Sequence, residues 1–264
     1  MTRQTNTALE ASALTVDIGG KTICRGLSLS FNHAECWAVL GLNGAGKTTL
    51  IHTLAGVRPA QSGSVLLEGL DLADTPRRDR ARKLALLVQD SFDAFDATVL
   101  ETALVGRHPH LPRWKWWQWG GKRDESIARS ALAAVGLDTL AARRVSTLSG
   151  GERERLAIAA VLAQEPDIYL LDEPTSHLDT HHQLAVLDLF ARTAREQGAM
   201  VIMSLHDASL AARYCSHALL LFDDAGEVRA GSIGDVLNAQ SLSRLYRHTI
   251  REINTDGLRL FVPA

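Results

Sequence analysis

The sequence predicts an α/β protein: a layered domain around a mainly parallel sheet, with a helical lobe inserted into it. Two observations carry this. Apolar runs of strand length recur at residues 13–16, 37–40, 64–67, 85–88, 168–171, 200–204 and 218–222, and amphipathic stretches of helical length separate several of them. Strands that alternate with helices pack as a parallel sheet covered by helices. From about residue 92 to residue 164 that rhythm gives way to helices and loops without a convincing strand, which an insertion into the α/β core explains most simply.

In chain order, the run 37–40 leads into a glycine-rich loop and then a helix that places Leu50, Ile51 and Leu54 on one face. Thr98 and Glu101 are spaced as a capping box, which opens a helix at Val99. Ile127, Ala131, Leu132 and Val135 form a helical stripe that stops at Gly136, the residue type that ends helices. A second box, Ser149 with Glu152, opens a helix that runs through Leu156 and Ala160 and ends before Pro166. After about residue 241 two strand-like runs, 251–254 and 258–262, flank Asp256-Gly257, a hairpin signal. No internal repeat or low-complexity linker interrupts the chain.

With 264 residues, 46% of them apolar and 22% charged, the chain is long enough for one sizeable globular domain. The formal charge of −2 gives no electrostatic reason to expect nucleic acid as a partner. Cys24, Cys36 and Cys215 are scattered and form no CxxC pair, which suits buried thiols in a reducing compartment better than a disulfide framework. Residues 1–11 are polar and lack the apolar stretch of a secretory signal. The longest apolar runs fall far short of the roughly 20 residues that cross a bilayer. The expectation is a cytosolic protein whose membrane role comes through partners.

The chemistry begins at Gly41-Leu42-Asn43-Gly44-Ala45-Gly46-Lys47-Thr48-Thr49, set between a strand and a helix. Glycines let the backbone curl so that successive N–H groups face phosphate oxygens, and the helix N-terminus adds partial positive charge. Lys47 then reaches the outer phosphates, and the Thr48 hydroxyl is placed to ligate Mg2+. Further on, the apolar run 168–171 ends in Asp172-Glu173, which delivers two carboxylates to the C-terminal edge of a parallel sheet. Asp172 is the candidate Mg2+ ligand there, and Glu173 the candidate base for the attacking water. At Leu148-Ser149-Gly150-Gly151-Glu152, capping explains the serine and the glutamate. It does not explain two glycines in the first turn, which cost about 1 kcal/mol each. Bare N–H groups at this helix end make a second anion site, and two such sites far apart in sequence suggest a composite site shared between subunits.

Taken together these motifs resemble those of the ABC ATPases, over nearly the whole chain. Gln89 matches that family's Q-loop glutamine, residues 148–152 its signature motif, residues 176–179 its D-loop and His206 its switch histidine. The resemblance implies a P-loop NTPase (RecA-like) core within a single domain, 1–264, with an N-terminal antiparallel β portion. It also implies a helical subdomain over about 92–164 and a short C-terminal element over 241–264. ATP and Mg2+ are the implied cofactors, in a head-to-tail homodimer. Each ATP would lie between residues 44–49 of one subunit and residues 149–151 of the other, with Asp179 among the nucleotide-binding residues. Gln89 would sense the γ-phosphate and Mg2+ and touch the membrane subunit, while His206 would hold the γ-phosphate and the attacking water. The implied partners are two transmembrane permease subunits and, indirectly, a substrate-binding protein. The implied place is the cytoplasmic face of the inner membrane.

Residues 105–110 and 176–183 are similar to the ATPases of metal-chelate importers, which carry ferric siderophores, haem or cobalamin. Ile18 stands where the family usually places an aromatic residue against adenine, and Glu154 where glutamine is commoner. Trp114, Trp116, Trp117 and Trp119, interleaved with Arg113, Lys115 and Lys122, suit either an interface with a membrane subunit or a cap that folds back on the lobe. His108, His110, His181 and His182 lack the companions of a metal site and are read as surface or structural. The alternatives are the ATPase of an exporter, which is more often fused to a membrane domain, and a non-transport ABC protein. The latter carries a long coiled-coil insertion or tandem cassettes. A plain phosphate-loop kinase leaves residues 148–152 and His206 unexplained.

Overall fold

The computed structural model describes residues 6–88, 97–111, 121–223 and 226–264. Strands β1 (Thr7–Ile18) and β2 (Lys21–Asn32) form a hairpin whose turn, Gly19-Gly20, has both φ angles positive. That is the geometry that matches strand twist in two-residue loops. β3 (Cys36–Leu40) runs into α1 (Lys47–Leu54), followed by β4 (Ser62–Leu67) and β5 (Leu70–Asp71). An antiparallel sheet of order β2-β1-β4-β5 results.

After α2 (Arg77–Lys83) and β6 (Leu84–Leu87), the described chain turns helical: α3 (Val99–Val105), α4 (Lys122–Ala134) and α5 (Gly150–Ala163). The core resumes with β7 (Ile168–Leu171), α6 (Thr180–Gln197), β8 (Met200–Ser204), α7 (Ala208–Tyr214), β9 (His217–Leu221) and β10 (Val228–Ser232). The chain ends in α8 (Ile233–Val236), α9 (Ala239–Tyr246), β11 (Ile250–Thr255) and β12 (Leu258–Pro263). The central sheet has the order β10-β9-β3-β8-β7-β6; all its pairings are parallel except that of the edge strand β10.

Both faces of this sheet are covered, which is why its strands read as unbroken apolar runs. Side chains alternate between two cores. Trp37, Val39, Leu170, Ile202 and Leu219 face α1 and the antiparallel sheet, whereas Ala38, Leu40, Leu171, Met203 and Leu220 face the helical side. Each buried Leu, Ile or Val contributes about 1.5–3 kcal/mol.

The boxes at Thr98–Glu101 and Ser149–Glu152 both close as expected, with reciprocal hydrogen bonds. The stripe 127–135 lies in α4, which stops at Gly136 in the left-handed region. Asp256-Gly257 turns the β11–β12 hairpin, again with both φ angles positive. β2 and β10 escape the sequence reading: β2 because Arg25-Gly26 interrupts its alternation, and β10 because it is a half-exposed edge strand. β1 also begins well before residue 13.

The 105–110 motif binds α3, α5 and α2 together. A Cβ at Gly106 would overlap the Ala160 carbonyl oxygen, so the α3 terminus lies directly on α5. Buried Arg107 reaches Asp124 at 3.0 Å, Glu165 at 2.9 Å and the Ala163 carbonyl at 2.7 Å. The Pro109 carbonyl accepts from Arg78 and Arg82 of α2, and the His110 ring meets the Gln164 carbonyl at 2.8 Å. Among the described residues no helix is long and apolar enough to cross a membrane.

Candidate active site

Sealed on both faces, β3 ends at Leu40 and hands the chain to the glycine loop. Gly46 has φ +100°, and a Cβ there would meet Ile23 at 2.5 Å. Only glycine lets the loop lie against β2 in that conformation. Lys47 opens α1 and folds back, its Nζ donating to the carbonyls of Gly41 at 3.1 Å and Leu42 at 3.4 Å. Ala45 is buried, and its N–H returns to the Leu42 carbonyl. Burial holds the Lys47 ammonium below the ordinary lysine range, while the nearby charges of Glu173 and Asp172 oppose that shift.

Across the loop, β7 delivers its two carboxylates. Asp172 is only 1% exposed. Ser204, at the end of neighbouring β8, donates its hydroxyl to Asp172 Oδ1 at 2.8 Å and accepts the Glu173 N–H at 2.7 Å. Glu173 itself sits at φ +49°. A non-glycine residue held there stores about 1–3 kcal/mol of strain, a cost typical of functional positions. The serine hydroxyl helps to hold it. Glu173 Oε1 lies 2.9 Å from His206 Nε2, so the carboxylate and the imidazole form one unit at the mouth of the sheet. Ser204 escapes the sequence reading. Its signal was a polar residue closing an otherwise apolar strand.

Ile18, Asn43, Gly44, Gly46, Lys47, Thr48, Thr49, Glu173 and His206 line one open cleft of about 450 Å3. A larger concavity of about 510 Å3 runs between α4, α5 and α6 past Ser130, Leu162 and Thr193, away from this chemistry. The donors at the cleft fit a hard divalent cation. Thr48 lines it, and Asp172 Oδ2 is buried without a hydrogen-bond partner among the described residues. An orphaned carboxylate oxygen, together with a hydroxyl-bearing residue in the cleft lining, suits Mg2+, which takes few protein ligands and shares phosphate oxygens. Gln89 and the tryptophan cluster fall outside the described residues.

Ser149, Gly150, Gly151 and Asp179 do not line this cleft. Gly151 packs instead on the turn that precedes Asp179. A Cβ at Gly151 would come 3.2 Å from the His177 carbonyl, so the α5 terminus packs on the turn 176–179. Nothing lies within 4 Å of a Cβ built at Gly150, so that position faces open space. Asp179 caps α6, accepting the His182 N–H at 2.9 Å, and this bond leads the depression of its carboxyl below the usual range. His177 lies 3.8 Å from Glu154.

A model of the ABC transporter family matches residues 24–176. The ferric enterobactin transport ATP-binding protein FepC of Escherichia coli is 37% identical over 257 residues, covering 97% of this chain and 93% of that protein. The hemin import ATP-binding protein HmuV of Gloeobacter violaceus is 42% identical over 237 residues, covering 87% of this chain and 83% of that one. A solved ABC transporter assigned to the metal-chelate type, in an inward-facing conformation, superposes with a TM-score of 0.84 at 27% identity over 98% of each chain. The family match and the near end-to-end similarity to the enterobactin protein together make this chain a member of the ABC transporter family.

Proposed function

We propose that the chain is the ATP-binding and ATP-hydrolysing subunit of an ABC importer for a metal chelate of the ferric siderophore, haem or cobalamin class. The observation that carries the ATPase reading is the convergence of Lys47, Glu173 and His206 on one cleft. Lys47 and the N–H groups of residues 44–49 bind the phosphates. Glu173 takes a proton from the water that attacks the γ-phosphorus, as the bond to the ADP oxygen breaks. His206 Nε2 holds the Glu173 carboxylate in line. Mg2+, held by Thr48 and Asp172 with Gln89 as a further ligand, would screen charge on the phosphate oxygens.

The subunit works as a head-to-tail homodimer under two permease subunits at the cytoplasmic face of the inner membrane, served by a substrate-binding protein. The open face of Gly150 supports the dimer, because residues 149–151 are left to close over the nucleotide of a second copy. The segment 92–164 is then the lobe that engages the permeases, with Gln89 at its root as the coupling residue. The cargo reading rests on residues 105–110 and 176–183 and on the names of the similar proteins.

In a steady-state ATPase assay, Glu173→Gln should lower turnover about 10²- to 10⁴-fold while ATP affinity stays within twofold. Near-normal hydrolysis would remove Glu173 from the role of base. ATP-driven uptake of ferric enterobactin, haem or cobalamin into vesicles, by the subunit with its co-purifying permeases, tests the cargo. Transport of none of them, or outward transport only, would overturn the importer reading.

A further inference from the structure

The C-terminal element carries none of the motifs used above, yet it is tied to both walls of the nucleotide cleft. On one wall, the Tyr246 hydroxyl at the end of α9 donates to the His206 carbonyl at 3.2 Å. Burial and the nearby Asp207 push the Tyr246 phenol up to about 12. The Phe261 N–H of β12 donates to Ser209 Oγ at 2.9 Å, in the first turn of the helix that follows His206. From the other side the Leu205 N–H is bonded to the Val39 carbonyl at 3.1 Å. The backbone of the 205–209 stretch is thus held between β3 and the C-terminal element.

On the other wall, Arg247 turns out of α9 in the left-handed conformation and pairs with Asp223 Oδ2 at 3.1 Å. Asp223 also pairs with Lys21, whose Nζ donates to the Gly44 carbonyl at 3.0 Å. Two consecutive residues, Tyr246 and Arg247, therefore lead to the histidine and to the phosphate loop.

We infer that the C-terminal element positions the nucleotide site, Tyr246 acting on turnover through His206 and the Arg247–Asp223–Lys21 chain acting on nucleotide affinity through Gly44. The inference rests on the reading of His206 and Glu173 under the proposed function. Tyr246 fixes the backbone from which the imidazole reaches Glu173, so losing its hydroxyl widens the range of that 2.9 Å contact. The ionic chain is the weaker tether, because its side chains are between 32% and 61% exposed and water screens them.

Steady-state ATPase kinetics of the full chain separate the two tethers. Tyr246→Phe, which keeps the packing and removes only the hydroxyl, should lower kcat about three- to tenfold with KM within about twofold and an unchanged melting temperature. Asp223→Asn should raise KM for ATP about two- to fivefold at low salt and leave kcat alone. Tyr246→Leu, which also removes packing, should match the kcat loss of Tyr246→Phe and melt earlier. If Tyr246→Phe keeps wild-type kcat while Tyr246→Leu loses it, the residue is only packing and the inference falls. It falls too if Asp223→Asn leaves KM unchanged. Glu173→Gln, run alongside, separates the layers. If it hydrolyses ATP normally, the catalytic reading fails and takes the inference with it. If it is inactive while Tyr246→Phe is fully active, the inference alone is lost.

Discussion

The two helix N-termini assigned to phosphate under the proposed function, those of α1 and α5, are finished to different degrees. The start of α1 has its full surroundings in the same chain. Lys47 is buried behind it, Glu173 and His206 face it, and Ile18 closes one side. The start of α5 has only itself and a neighbouring turn: Ser149 and Glu152 cap each other, Gly151 rests on the His177 carbonyl, and Gly150 opens outward. Neither of the two concavities described above is lined by residues 149–151. A helix end with a satisfied cap and one bare glycine is half a site. Under the proposed function the difference carries a lesson: the first terminus would bind on its own, and the second would act only on what another copy brings.

The sharpest way to break that contrast is to damage each terminus in a different molecule. Ser149→Arg fills the open α5 end and should drop ATPase activity at least about 100-fold, with ATP affinity of the isolated subunit unchanged. Lys47→Ala should lose activity equally and weaken ATP binding in equilibrium titrations, because it removes the cation directed at the phosphates. An equimolar mixture should recover up to about a quarter of wild-type activity, since half the dimers are mixed and each carries one intact composite site. No recovery at all would sink the shared-site reading.

A smaller effect tests how far the α1 site is self-supporting. Ser204→Ala leaves Asp172 Oδ1 and the Glu173 N–H without their buried partner, at a cost of about 1–3 kcal/mol. The melting temperature should fall and kcat should drop roughly tenfold. An unchanged melting curve and rate would mean that the two carboxylates hold their places without the serine.

The smallest effect concerns the side of the cleft formed by Ile18. Isoleucine offers a base apolar contact but no π-face, and stacking on an aromatic side chain is worth about 1–3 kcal/mol in nucleic-acid binders. Ile18→Tyr should tighten ATP binding by at most about tenfold. The wild type should separate ATP from GTP poorly in competition titrations. Strong adenine preference in the wild type, unchanged by the tyrosine, would show that the base is held elsewhere.

What could be read from sequence was whatever is local. The glycine loop, both capping boxes, the stop at Gly136 and the Asp256-Gly257 turn each rest on residues a few positions apart, and each forms as read. β2 and β10 were missed because strand pairing is non-local: β2 pairs with β1 on either side of an irregularity at Arg25-Gly26, and β10 borrows its order from β9. At the site, the chemistry-bearing side chains announced themselves, whereas their supports did not. Ser204 and Tyr246 lie 31 or more residues from the atoms they hold, so no spacing rule could find them. Gly151 shows the same limit from the other side. Sequence gave it one meaning, an open anion site, where the fold adds another, close packing on residue 177.

The rivet around Arg107 gives α5 a mechanical character. One end of this 14-residue helix is fastened through Gly106, Arg107 and Gln164 to α3 and to the α2–β6 segment that leads towards Gln89; the other end is Ser149. A rod of 14 residues is about 21 Å long. Tilted by about 10° at its fastened end, such a rod carries its tip through about 4 Å, more than the length of a hydrogen bond. Under the proposed function, leverage of that kind would turn a nudge passed along the α2–β6 segment into contact made or lost at Ser149, and the buried Arg107 guanidinium is one of the groups that fasten the rod.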